Sequence, residues 1–92
     1  MPMRFLFAIT ATFEVKGAVC VEPPVPFELC EVEGLKAGDM LELRRPDGSV
    51  INRTILSLEW PFPSRGALVM TLSPQVKKDD VPAGTEIWKV KS

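Results

Sequence analysis

Apolar residues occupy every second position from Phe5 to Val15 (Phe5, Phe7, Ile9, Ala11, Phe13, Val15), and Thr10, Thr12, Glu14 and Lys16 fall between or just after them. Successive side chains of a strand point to opposite faces, so this period of two predicts a strand with that apolar set on one buried face. In a helix the same phenylalanines would scatter around the surface. After Lys16-Gly17, Ala18 to Glu22 is a second, shorter β-prone stretch. The three prolines of Pro23-Pro24-Val25-Pro26 have no backbone donor, which predicts a loop or a sheet edge rather than a central strand. Phe27 to Val32 reads as a resumed strand.

Gly34 to Asp39 predicts a turn into a strand over Met40 to Arg45, with Leu41 and Leu43 inward and Glu42 and Arg44 outward. Arg45-Pro46-Asp47-Gly48 is a hairpin turn, because proline presets φ and Asp-Gly supplies the positive φ of a tight reversal. The returning strand spans Ser49 to Glu59, and Trp60 to Gly66 forms a second proline-rich loop. Ala67 to Leu72 is a strand with Leu68, Met70 and Leu72 on one side. Lys77 to Gly84 is a polar connection with room for one helical turn, and Thr85 to Val90 is the last strand. Six to seven short strands at regular spacing predict an all-β domain. Closure into a small, closed or nearly closed antiparallel β-barrel would hide the strand edges.

At 92 residues the chain makes one domain, 1–92. Its 46% hydrophobic and 25% charged residues are those of an ordinary globular protein. Eleven basic and twelve acidic residues leave a net charge of −1, without the basic excess typical of proteins that bind phosphate backbones. There is no histidine, and Cys20 and Cys30 are not in a CxxC pair, so the usual zinc frameworks are not expected, nor is any other cofactor. The two cysteines read either as reduced, buried thiols in a cytoplasmic protein or as a disulfide across neighbouring strands. The apolar run after Arg4 is too short and too interrupted for a membrane span.

Two longer segments and two shorter ones carry a family resemblance. Gly34-Leu35-Lys36-Ala37-Gly38-Asp39-Met40-Leu41-Glu42-Leu43 resembles a turn and strand of the second, β-barrel domain of translational GTPases. Val76 to Thr85 is similar to that domain's closing segment, Phe13-Glu14-Val15-Lys16-Gly17 to its first strand end, and Ser57-Leu58-Glu59 to an internal hydrophobic-acidic step. The resemblance implies an elongation factor Tu domain 2-like barrel. Departures lie after Gly17, where the proline segment intervenes, and at the shortened Trp60 to Gly66 loop. The chain has no GxxxxGK(S/T) phosphate loop, so GTP hydrolysis is not expected of it. No RNA-contacting position of the family maps onto it.

No nucleophile–base pattern is present, and the chain is expected not to be an enzyme. Asp79-Asp80 reads as a turn cap, and Glu28, Glu31 and Glu33 as a solvated rim. Trp60, Phe62 and Arg65, stiffened by Pro61 and Pro63, are the candidate contact surface, since aromatics and arginine dominate binding hot spots. The other reading has the rings folding back to plug the barrel. Arg44, Arg45 and Arg53 can meet across the hairpin as a phosphate site or stand as solvated surface. The function expected is a stand-alone, non-catalytic binding module docking a protein or RNA through loops. The alternative is a structural homo-oligomer associating through exposed strands or the Trp60 loop.

Overall fold

The computed structural model describes residues 3–59 and 66–90. They form seven strands: β1 (Met3–Ala8), β2 (Ala11–Val15), β3 (Ala18–Pro26), β4 (Met40–Arg44), β5 (Val50–Glu59), β6 (Ala67–Leu72) and β7 (Glu86–Val90). A helix, α1 (Phe27–Glu33), follows β3, and a 3-10 turn (Lys78–Asp80) precedes β7. All pairings are antiparallel, in the order β1-β7-β4-β5-β6-β3-β2. The all-β, barrel-like architecture predicted from the alternation is therefore present.

The sheet curls round into a half-barrel, and its two edge strands, β1 and β2, are consecutive in sequence. At Ile9-Thr10 the chain leaves β7 for β3: the Ile9 amide donates to the Thr85 carbonyl (2.8 Å), and the Thr10 amide to the Glu22 carbonyl (2.7 Å). β5 makes the opposite corner, pairing with β4 up to Thr54 and with β6 from Ile55 onward. Leu56 is the extra residue there, a bulge between Ile55 and Ser57. Two more bulges interrupt β1 between Phe5 and Phe7, and β3 between Val21 and Val25. Extra residues on one strand bend it and increase local twist, which curls a short sheet into a barrel.

These bulges correct the expected faces of the first strand. Phe5 lies opposite Trp88 but Phe7 lies opposite Ile87, so two steps along β1 match one along β7. Residues directly opposite share a face, and a slip of one residue reverses it. Phe5 accordingly stands outside, 46% exposed, in an edge-to-face contact with Trp88, while Leu6 and Ile9 are buried. In β2, Thr12 and Glu14 lie opposite the core residues Val21 and Val19, whereas Phe13 shares the outer face with Cys20 and Val15 is exposed.

Of the two readings of the proline segment, loop or sheet edge, the structure has the edge: the prolines belong to β3 where it pairs on one side only. Val25 is fully buried opposite Leu68, and the prolines lie in or beyond the β3 bulge, past Glu22, the last β3 residue paired to β2. Missing amide donors cost nothing on an unpaired side.

Phe27 to Val32, expected as a strand, lies in the helix α1. Gly34 ends it at φ 63°, its amide reaching the Glu31 carbonyl and the Leu35 amide the Cys30 carbonyl (2.9 Å). This left-handed cap satisfies the orphan carbonyls and turns Leu35 back onto Cys30 in the core. Glu33, expected on a solvated rim, is buried and accepts from Arg4 Nε at 2.7 Å, while Lys89 donates to its carbonyl. α1 is thereby tied to β1 and β7. The inward sides of β4 and β6 are as predicted: Leu41, Leu43, Met70 and Leu72 are fully buried, with Leu68 packed against them.

Candidate functional site

The predicted contact residues Trp60, Phe62 and Arg65 lie outside the described residues. The segment that carries them leaves from Glu59 and returns at Gly66, whose carbonyl accepts the Phe27 amide (3.2 Å). The helix start and both ends of that segment therefore meet in one region.

In this region a cleft of about 560 Å³ separates α1 and the following turn from the end of β5. Phe27, Cys30, Leu35, Leu58 and Leu68 form its apolar lining, and Glu31, Lys36 and Glu59 stand around it. The left-handed Gly34 makes the cleft, because it ends the helix and turns the chain across the barrel mouth toward β4. Glu31 and Glu59 are exposed and have no ion-pair partner among the described residues. Lys36 is committed to Asp39 (3.0 Å), and Lys89 approaches the same carboxylate at 3.7 Å. Burial pushes the Asp39 carboxyl up, but hydrogen bonds from the Lys36 side chain and amide, with the charges of Lys89 and Lys36, hold it below the ordinary aspartate value.

Cys30 forms part of the cleft wall and Cys20 lies under the outer face of β3, bonded to Thr71 Oγ1 at 3.3 Å. Both are free and buried, which settles the choice between thiols and a disulfide. Burial pushes the Cys30 thiol up, away from the thiolate a nucleophile needs. Asp80 caps its turn as expected, accepting the Lys77 amide at 3.0 Å.

The three arginines of the β4–β5 hairpin are not brought together. Arg44 pairs with Glu42 and lies over the Trp88 ring, 3.9 Å from its centroid. Arg45 donates to Ser49 Oγ (2.7 Å) and approaches Asp80 Oδ1 at 4.0 Å. Arg53 faces a separate pocket with Met40, Asn52, Thr54, Ser73 and Gln75. Among the described residues no three Cys, Asp or Glu side chains converge as metal ligands do, and no helix is long and apolar enough to cross a membrane.

Sequence reasoning missed the cleft. Its one available signal was Gly34 following a seven-residue segment preceded by Pro26, which is a helix-end pattern as well as a turn pattern. Comparison with known protein families, curated proteins and solved structures finds no match to this chain.

Proposed function

We propose that this barrel is a non-catalytic binding module whose cleft between α1 and β5 receives an apolar side chain of a partner protein. The observation that carries the reading is a concave, apolar-lined space of about 560 Å³, within the size range of side-chain and ligand sites. Glu31 and Glu59 at its rim favour a partner segment with Lys or Arg beside the inserted residue. The same carboxylates repel nucleic-acid phosphates, and Arg4, Arg44 and Arg45 are each engaged within the fold, so protein is preferred over RNA as the partner. The kinship with translation-factor barrels, carried by the Gly34–Leu43 and Val76–Thr85 motifs, belongs to this proposal as the origin of such a module. Two buried free thiols suit a cytoplasmic, reducing setting.

The test is a selection of random nine-residue displayed peptides on the intact protein, with competing selection on a Leu58→Asp variant of verified fold. Peptides enriched on the wild type should carry a bulky apolar residue flanked by Lys or Arg and should shift amide resonances of Leu35, Ser57 and Leu58. Enrichment that is equal on Leu58→Asp, or shifts confined to another face, refutes the cleft.

A further inference from the structure

A second site stands apart from that cleft. Arg53 lines a pocket of about 390 Å³ where the start of β4, the middle of β5 and the segment after β6 meet. Strand pairing sets Met40 beside Thr54, and the Ser73 amide donates to the Thr54 carbonyl (3.0 Å), which fixes Ser73 against β5. The residues lining it are Met40, Asn52, Arg53, Thr54, Ser73 and Gln75, with no Asp or Glu among them.

Arg53 is the hairpin arginine that the fold leaves uncommitted. Arg44 and Arg45 each have a carboxylate neighbour, whereas among the described residues Arg53 has none, and one of its Nη1 hydrogens goes only to the Asn52 carbonyl (2.7 Å). Its Nε is shielded from solvent with no hydrogen-bond partner among the described residues. A guanidinium without a carboxylate partner keeps its remaining Nη donors for an incoming anion.

We infer that this pocket binds the phosphate group of a phosphate monoester. The two Nη groups of Arg53 suit two oxygens of one phosphate, and Ser73 and Gln75, also in the lining, carry donors for a remaining oxygen. That donor set exceeds what a carboxylate's two oxygens use. One cation without a row of others matches a single terminal phosphate and not a polynucleotide backbone, which is bound by neutralising several phosphates in succession. Met40, 43% exposed at the pocket wall, offers an apolar seat for the carbon portion of the ester.

The experiment is an amide-resonance titration of the full chain at constant ionic strength. Its arms are inorganic phosphate, glycerol 1-phosphate, a phosphoserine peptide with its unphosphorylated twin, acetate, and a uridine decanucleotide. Expected are saturable shifts at Asn52, Arg53, Thr54, Ser73 and Gln75 with the phosphate-bearing monoesters. Arg53→Gln should weaken them by about tenfold to a hundredfold, the worth of charge-assisted hydrogen bonds. Arg53→Lys should recover only part, since it keeps the charge and loses the fork. A tighter peptide arm identifies a phosphoprotein as the source, and a tighter glycerol phosphate arm a small metabolite; both support the site. Absence of saturation, unchanged affinity in a folded Arg53→Gln, equal binding of acetate, or tighter binding of the decanucleotide each overturns it.

Discussion

Replacing Gly84 by alanine tests the corner at which the barrel closes. Gly84 has φ +93° and donates its amide to the Ile9 carbonyl at 2.7 Å, on the segment that joins the two sheet edges. Gly38 has the same φ, +93°, and also donates to a barrel carbonyl, that of Ile55 at 2.8 Å. A side chain at positive φ costs about 1–2 kcal/mol. Alanine recovers about 0.4–1 kcal/mol by restricting the unfolded chain. Both terms are shared by the two sites, so Gly38→Ala is the reference, with a net loss of roughly 0.5–1 kcal/mol.

The sites differ in space. A Cβ at Gly38 meets nothing within 4 Å, whereas one at Gly84 lies 3.2 Å from Cγ of Pro46, in the β4–β5 turn. Carbon atoms are at their optimum roughly 3.5–4.0 Å apart, so the Pro46 ring or the Gly84–Ile9 hydrogen bond must give way. Overpacking of this kind costs about 1 kcal/mol at its lower end. Urea denaturation should therefore place Gly84→Ala about 1 kcal/mol below Gly38→Ala at unchanged m, or about 4–8 °C lower in Tm for a domain of this size. In a Pro46→Ala background, which lacks the offending carbon, the excess should vanish. Equal losses at the two glycines, or an excess that survives Pro46→Ala, would refute the assignment to this contact.

Two further outcomes follow from the groups around the cleft. The Asp39 carboxyl is held below its ordinary value near 3.8, so the stability it contributes is present above that value and is lost as pH falls through the lower, folded one. The advantage of wild type over Asp39→Asn in urea titrations should be constant near neutrality and shrink below about pH 4; an advantage that grows on acidification contradicts the Lys36–Asp39–Lys89 arrangement. Cys20 and Cys30 are 3% and 8% exposed, and burial pushes the Cys30 thiol up. Ellman's reagent should react slowly with the native protein and reach both thiols once guanidinium unfolds it; rapid native reaction would mean that the thiols are not buried.

Where two strands pair without interruption, the alternation along the chain predicted their faces. Leu41 and Leu43 on β4, and Met70 and Leu72 on β6, point inward because a strand can hide one face only by placing apolar residues at a spacing of two. The β4–β5 turn and the 3-10 turn at Lys78–Asp80 were equally local, set by Pro, Asp and Gly within a few residues. The candidate site was not local. Its cleft depends on α1, whose seven residues are too few to display a helical period distinct from a strand's. Burial of Glu33 required Arg4 and Lys89, which are distant in sequence.

The amino-acid sequence alone determined that this chain folds as antiparallel β-structure with several reversals, because side-chain alternation and turn chemistry act between near neighbours. Tertiary structure decided which face of Phe5–Val15 is buried, since the bulge in β1 and the corner at Ile9-Thr10 are set by pairing with β7 and β3. It also decided which hairpin arginine has no carboxylate neighbour among the described residues: Glu42 and Asp80 approach Arg44 and Arg45, and only the fold brings Ser73 and Gln75 to the pocket that Arg53 lines. A linear pattern records a residue's own preference, whereas partners across a sheet are assigned by register, which one inserted residue is enough to change.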